Sequence, residues 1–188
     1  DDFEDSELGP IPRGWSVGCV GDLVEVTRDT IQPSDYPDEV FDHYSFEACD
    51  AGCTPARTEG AAMKSGKLLV PADSVLLSRL NPSISRLWLP WPTTQARSVA
   101  SSEFLVVRGR RGVPRTYFYS LFGSASFREA FEGLATGTST SHQRVRPSDF
   151  SDIPAAWPPR EIIQRFDGEA CGLLARARIG REEAIRLA

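Results

Sequence analysis

Residues 75–89 read Val-Leu-Leu-Ser-Arg-Leu-Asn-Pro-Ser-Ile-Ser-Arg-Leu-Trp-Leu. Val75–Leu80 and Ile84–Leu89 are apolar runs of strand length. Asn81, Pro82 and Ser83 between them favour a tight turn, because proline fixes φ and asparagine tolerates a left-handed backbone. A strand pair here puts sheet at the centre of the chain, and Val99–Val107 reads as a further strand. Thr116–Leu134 has a different period: Tyr117, Leu121, Phe127, Ala130, Phe131 and Leu134 suit an amphipathic helix with a break near Gly123. Upstream, Leu8–Trp15 carries Pro10, Pro12 and Gly14 and reads as an extended lead-in anchored by Trp15. Gly18–Val26 is short and apolar, with Asp22 placed to cap a helical turn, and Val40–Ala48 has the aromatic character of a strand.

Cys49–Ser65 reads as loop, as does the polar stretch 136–144, and Pro147–Pro159 reads as a proline-rich connector. After it, Ile162, Ile163, Phe166, Ala170, Leu173, Leu174 and Ala177 recur at three-to-four spacing, which predicts a long C-terminal helix. Gly168, Gly172 and Gly180 weaken that helix by about 1 kcal/mol each relative to Ala. The expected fold is α+β: a single mixed domain over 1–159, followed by a helix of coiled-coil type over 160–188 whose apolar face needs something to pack against.

A chain of 188 residues, 40% hydrophobic and 25% charged, has the balance of one globular domain. No apolar run approaches the roughly 20 residues that span a bilayer, and the acidic start cannot serve as a signal peptide, so a cytoplasmic location without membrane contact is expected. Lacking an initiating Met, the chain is expected to come from a longer polypeptide. Cys19, Cys49, Cys53 and Cys171 show no repeated metal-ligand spacing and read as reduced, mostly buried thiols. Net charge is −5, but residues 1–60 carry −12, residues 61–148 carry +8 and residues 149–188 carry −1. A polyanion feels the local field within about 8 to 10 Å, so a segregated basic segment matters more than the total.

Catalytic fingerprints are absent from the sequence: it has neither a phosphate-binding Gly-x-x-x-x-Gly-Lys loop nor a Gly-x-Ser-x-Gly elbow. Ser141, His142 and Asp149 are close in sequence but do not make a triad without geometry. The Asn-Pro-Pro-Tyr pattern of adenine methyltransferases is missing too, since Asn81-Pro82 is followed by Ser83-Ile84.

Several blocks in order carry a family resemblance. Leu8-Gly9-Pro10-Ile11-Pro12-Arg13-Gly14-Trp15 is followed by Gly21-Asp22-Leu23, then by Val40–Phe46 and Met63-Lys64-Ser65-Gly66-Lys67. Val75–Pro82 and Ser101-Ser102-Glu103-Phe104-Leu105 come next, and then Thr136–Ser139, Gln143-Arg144-Val145, Ile153-Pro154 and Pro158-Pro159. Taken together they resemble the target recognition domains of type I restriction-modification DNA specificity subunits. The resemblance implies an α+β recognition domain and a helix that packs in a coiled coil. It implies sequence-specific binding of double-stranded DNA at one half of a split target, and no catalysis by this chain. The implied partners are the methyltransferase and restriction subunits, together with a second recognition domain or a second copy through the helix. S-adenosylmethionine and ATP serve those other subunits, so no cofactor is expected here.

The residues fit that task. Lys64, Lys67, Arg79, Arg86, Arg97 and Arg144 can neutralise phosphates, and Thr138, Ser139, Thr140 and Ser141 can donate to backbone oxygens. Arginine suits guanine, and asparagine or glutamine suits adenine, which makes Arg79, Asn81 and Gln143 candidate base readers. The plain alternative makes Arg79 a solvated side chain and Asn81 only a turn residue. Ile162, Phe166 and Leu173 are the candidate subunit interface. Two other functions compete: an adaptor that docks a partner without binding DNA, and a small hydrolase or metalloprotein using His43, Cys49 and Cys53.

Overall fold

The computed structural model describes residues 2–92, 94–137 and 143–187. In chain order the strands are β1 (Phe3–Glu4), β2 (Ile11–Pro12), β3 (Ser16–Cys19), β4 (Val24–Thr27), β5 (Thr30–Ile31), β6 (Val40–Tyr44), β7 (Ala56–Glu59), β8 (Lys67–Leu69), β9 (Val75–Ser78), β10 (Leu87–Trp88), β11 (Ser98–Ala100), β12 (Phe104–Gly109) and β13 (Pro154–Trp157). The helices are α1 (Val20–Leu23), α2 (Phe46–Asp50), α3 (Arg115–Gly123), α4 (Ala125–Gly133), α5 (Pro147–Ser151) and α6 (Arg160–Leu187). The chain is α+β, with mixed sheets and a long C-terminal helix.

Strands 9 and 10 pair antiparallel, Leu77 opposite Leu87 and Leu76 opposite Trp88, as residues 75–89 lead one to expect, but they are shorter than their apolar runs: the connection spans Arg79 to Arg86 and leaves Ile84 exposed in place of a strand position. They belong to a four-stranded sheet in the order β10-β9-β12-β4, beside a five-stranded sheet in the order β5-β8-β11-β6-β7. The four-stranded sheet is buried on both faces. Val75, Leu77, Leu105 and Val107 join Phe118, Phe122, Phe127, Phe131 and Phe150 of α3, α4 and α5 in the main core. On the other face Leu76, Val106 and Phe104 meet Tyr44, Trp88 and Ala100 between the sheets. Double burial explains why Val75–Leu77 and Phe104–Val107 are unbroken apolar runs rather than alternating ones.

Five local expectations need correction. Val99–Val107 is two strands in different sheets, because the polar Ser101-Ser102-Glu103 makes a turn in which Phe104 N donates to Ser101 O at 3.0 Å. The strand at Val40 ends at Tyr44, where Ser45 Oγ accepts from Ala48 N at 3.2 Å and starts α2. The stretch Cys49–Ser65 holds β7, whose Thr58 pairs with Phe41. The Pro147–Pro159 connector is also structured: Pro147 opens α5, where its missing N–H costs nothing, and β13 pairs with β3, Ala155 opposite Gly18. Trp15 is half-buried and stands outside the core clusters of the described residues.

Other local readings agree. Asp22 Oδ2 accepts from Cys19 N at 2.9 Å and so caps the first turn of α1. The break near Gly123 falls at Ser124, which caps α4. Gly168, Gly172 and Gly180 do not interrupt α6, which runs 28 residues.

Candidate nucleic-acid interface

Strand register puts most of the selected residues at one end of the stacked sheets. β9 finishes at Ser78, directly opposite Phe104 at the start of β12. The parallel strands β6 and β11 finish together at Tyr44 and Ala100, and Leu68, next to Lys67, pairs with Ala100. The chain leaving these strand ends carries Arg79, Asn81, Glu103 and Lys67. A third segment joins them, as Asn81 N donates to Gln143 O at 2.8 Å and Val145 N to Arg79 O at 3.0 Å. Thr136 and Arg144 exchange backbone bonds of 3.0 and 2.9 Å, so the polar stretch 136–144 begins and ends on this site. Thr138, Ser139, Thr140 and Ser141 lie outside the described residues.

Glu103 organises the cluster. Arg144 grips it with two parallel bonds, Nε to Oε2 at 3.0 Å and Nη2 to Oε1 at 2.9 Å. Arg79 Nε approaches Oε2 at 3.4 Å, an ion pair without hydrogen-bond alignment, and that buried nitrogen has no hydrogen-bond partner among the described residues. The bonds from Arg144, then the charges of Arg144 and Arg79, hold the Glu103 carboxyl below the usual carboxylate range. The same contact raises the Arg144 pKa. Two guanidiniums on one carboxylate leave a net positive cluster whose side chains are already ordered, which reduces the entropy lost when a phosphate or base edge arrives.

Asn81 sits at φ 49°, in the left-handed region, and its buried Oδ1 has no hydrogen-bond partner among the described residues. Its backbone therefore makes the turn while its amide oxygen remains unsatisfied. The turn explanation of Asn81 accounts for the backbone only.

The remaining cations are placed differently. Arg86 donates to both oxygens of Asp50, at 2.7 and 2.8 Å, and lies 4.7 Å over the Phe46 ring, which ties the hairpin loop to α2. Lys67 is 9% exposed; its Nζ donates to Ser65 O and Oγ at 3.1 and 2.7 Å, and burial lowers its pKa. Lys64 is exposed. Arg97 precedes β11 and is thus at the opposite end of that strand from Glu103; it donates to Glu39 Oε1 at 2.6 Å and covers the Tyr36 ring at 4.1 Å. The charge segregation along the sequence is consequently reduced in space, where Glu39 and Asp50 of the acidic segment pair with Arg97 and Arg86 of the basic one.

Sequence reasoning missed Glu103, because a search for cations passes over the carboxylate that positions them. It also missed the burial of His43, whose Nε2 has no hydrogen-bond partner among the described residues. Burial, and then the nearby Lys67 charge, lower the His43 pKa. Among the described residues no three His, Cys, Asp or Glu side chains gather to hold a metal ion.

The C-terminal helix packs one face on the domain. Ile163 and Ala170 are buried, Leu174 packs on the main core, and Thr116 Oγ1 donates to Asp167 Oδ1 at 2.5 Å. Of the proposed interface residues, Ile162 is 51%, Phe166 38% and Leu173 65% exposed, and Phe166 also meets the Tyr117 ring edge-on at 6.0 Å. The apolar surface therefore divides into a docked face and an adjoining exposed stripe.

No protein-family model matches the sequence, and no curated protein matches it. Solved structures do match. The HsdS subunit from Thermoanaerobacter tengcongensis superposes with a TM-score of 0.71 at 21% identity, over 92% of this chain and 45% of that one. A structure described as explaining complex assembly and conformational transition of the type I R-M system gives 0.71 at 21% identity, over 91% and 45%. The type I restriction-modification S subunit from M. genitalium gives 0.53 at 11% identity, over 82% and 37%. The chain has the fold of one part of these subunits and spans less than half their length.

Proposed function

We propose that this chain is a DNA target recognition domain of a type I restriction-modification specificity subunit, one that binds duplex DNA and catalyses nothing itself. Residues 1–159 read one half of a split target, and residues 160–188 join the assembly. The carrying observation is that Arg79 and Arg144, from segments distant in sequence, meet on Glu103, and that Asn81 and Gln143 of the same two segments are joined through the backbone, at one end of an HsdS-like fold. Charge-bearing and amide-bearing residues lie on the same joined segments there, as a site needs if it is to hold phosphates and read base edges. In this reading the partners are the methyltransferase and restriction subunits, and the exposed stripe of α6 meets a helix of a second recognition domain or of a second copy. No helix among the described residues is long and apolar enough to cross a membrane, and the proposed place of work is the cytoplasm, with its DNA.

Duplex binding by the full chain, followed from about 50 to 200 mM salt, tests the reading, because neutralised phosphates release counterions and affinity must fall steeply. Affinity that is absent at low salt, or flat across this range, overturns it. An adaptor without DNA affinity would then be favoured by the exposed Ile162 and Leu173.

A further inference from the structure

The pair Cys49 and Cys53 has no part in the DNA reading. Cys49 lies in α2, and the chain then turns through Gly52 and Cys53, both at positive φ, 116° and 59°. A positive φ at a cysteine is strained, and here it is held by Cys53 N donating to Ala48 O at 3.0 Å and to Cys49 O at 3.2 Å. The turn brings the two sulfurs to 3.6 Å. Cys49 is buried, while Cys53 borders a cleft closed by Trp91 and Tyr119 on one side and by Arg178, Arg181 and Glu182 of α6 on the other. Beside it, the Ile185 side chain of α6 lies against Gly52. The dithiol turn thus adjoins the far end of the long helix, at Ile185 and across the cleft at Arg178, Arg181 and Glu182.

We propose that Cys49 and Cys53 form a redox-active dithiol that senses peroxide-class oxidants and, on forming a disulfide, loosens the C-terminal end of α6.

The two thiols are unequal. The hydrogen bond from Cys49, assisted by the Arg181 guanidinium and opposed by burial and by Asp50, lowers the Cys53 pKa to about 7. The same contact and burial push the Cys49 thiol up, with Asp50 adding to the effect and Arg86 opposing it. Tyr119, also facing the pair, is kept protonated by burial. Cys53 is therefore the thiol of the pair that ionises first near neutral pH, and a thiolate whose pKa lies near ambient pH is a good nucleophile. It attacks one peroxide oxygen, the O–O bond breaks, and Cys53 becomes a sulfenic acid while hydroxide leaves. Cys49 sulfur then attacks Cys53 sulfur. The second oxygen leaves as water, taking the Cys49 proton, and the hydroxide takes up the proton that Cys53 gave to solvent on ionising, so that two thiols are oxidised and one peroxide is reduced to two waters. Bond formation draws the sulfurs from 3.6 Å to about 2.05 Å. It also removes the thiolate that faces Arg181 and shifts the turn under Ile185.

The test treats the full chain with one equivalent of hydrogen peroxide at pH 7, followed by alkylation and peptide mapping. The expected product is a Cys49–Cys53 disulfide, short of two hydrogens, formed ahead of any oxidation at the exposed Cys171 and reversed by dithiothreitol. Cys49→Ser should stop at a Cys53 sulfenic acid that dimedone traps. Hydrogen exchange in 178–187 should be faster in the oxidised chain. Oxidation of Cys171 while Cys49 and Cys53 stay reduced overturns the proposal, as does over-oxidation of Cys53 without a disulfide. A disulfide that leaves exchange in 178–187 unchanged overturns the link to the helix.

Discussion

Glu103 and Arg144, forty-one residues apart, are joined by two parallel hydrogen bonds that make the carboxylate the support for the guanidinium. Glu103→Gln should leave the fold intact, since partly exposed ion pairs contribute about 0–1 kcal/mol, but it should release Arg144 and Arg79 from their fixed positions. Thermal melts should barely change, while DNA binding becomes less selective among sequences and keeps its salt dependence. Because the Glu103 pKa is depressed in the folded state, the stability this group provides is present above its unfolded pKa and is lost as pH falls through the folded one.

Arg79 and Asn81 should act on specificity. Each replacement by Ala in the assembled methyltransferase should cost about 1 to 3 kcal/mol and relax the target at one position. Arg144→Ala should weaken all sequences alike. Asn81→Gly separates two roles, since glycine keeps the left-handed turn at φ 49° and removes only the amide. Methylation mapping over a random-sequence library reads out both patterns. A uniform loss from Arg79→Ala and Asn81→Gly would remove base reading from these residues.

Leu173 and Ile163 should separate assembly from folding. Leu173 is 65% exposed, so Leu173→Asp should change domain stability by no more than about 0.5 kcal/mol and yet abolish co-purification with the methyltransferase subunit. Ile163 is 4% exposed, and Ile163→Ala should cost about 2–5 kcal/mol. Phe166→Asp should affect both, because its ring also packs on Tyr117. Urea titrations and pull-downs on the same preparations measure the two effects.

His43 should make the fold acid-sensitive. Its folded pKa is depressed by burial and by Lys67, so the unfolded chain takes up the proton first as pH drops below about 6.5. Its contribution is therefore complete above that pH and is lost on acidification. The urea midpoint should fall between pH 7.5 and 5.5, and His43→Gln should flatten that part of the profile.

Gly60 should be irreplaceable for a reason invisible along the chain. A Cβ there would press into the carbonyl oxygens of Tyr36 and Pro33, which are backbone and cannot swing aside. Gly60→Ala should cost about 1–3 kcal/mol, seen as a lowered Tm.

Element type was largely readable in the sequence, because periodicity and turn chemistry are local. The strands around Asn81, the break in the helix near Gly123, the cap at Asp22 and the long final helix all follow from residues within a turn or two of one another. Several local signals were open to more than one reading: Ser101-Ser102-Glu103 is a turn between two sheets, and Ser45 a cap within an aromatic run. Only the tertiary structure decided which charges meet. Arg79 and Arg144 belong to separate segments, and they share Glu103 because β9 ends opposite the start of β12 and Val145 bonds back to Arg79. Arg86 and Arg97, identical to them in sequence terms, are committed to Asp50 and Glu39 instead. Composition supplies the number of charges, but an ion pair depends on distances of a few ångströms. Those distances are set by strand register across the sheets, which no local pattern encodes.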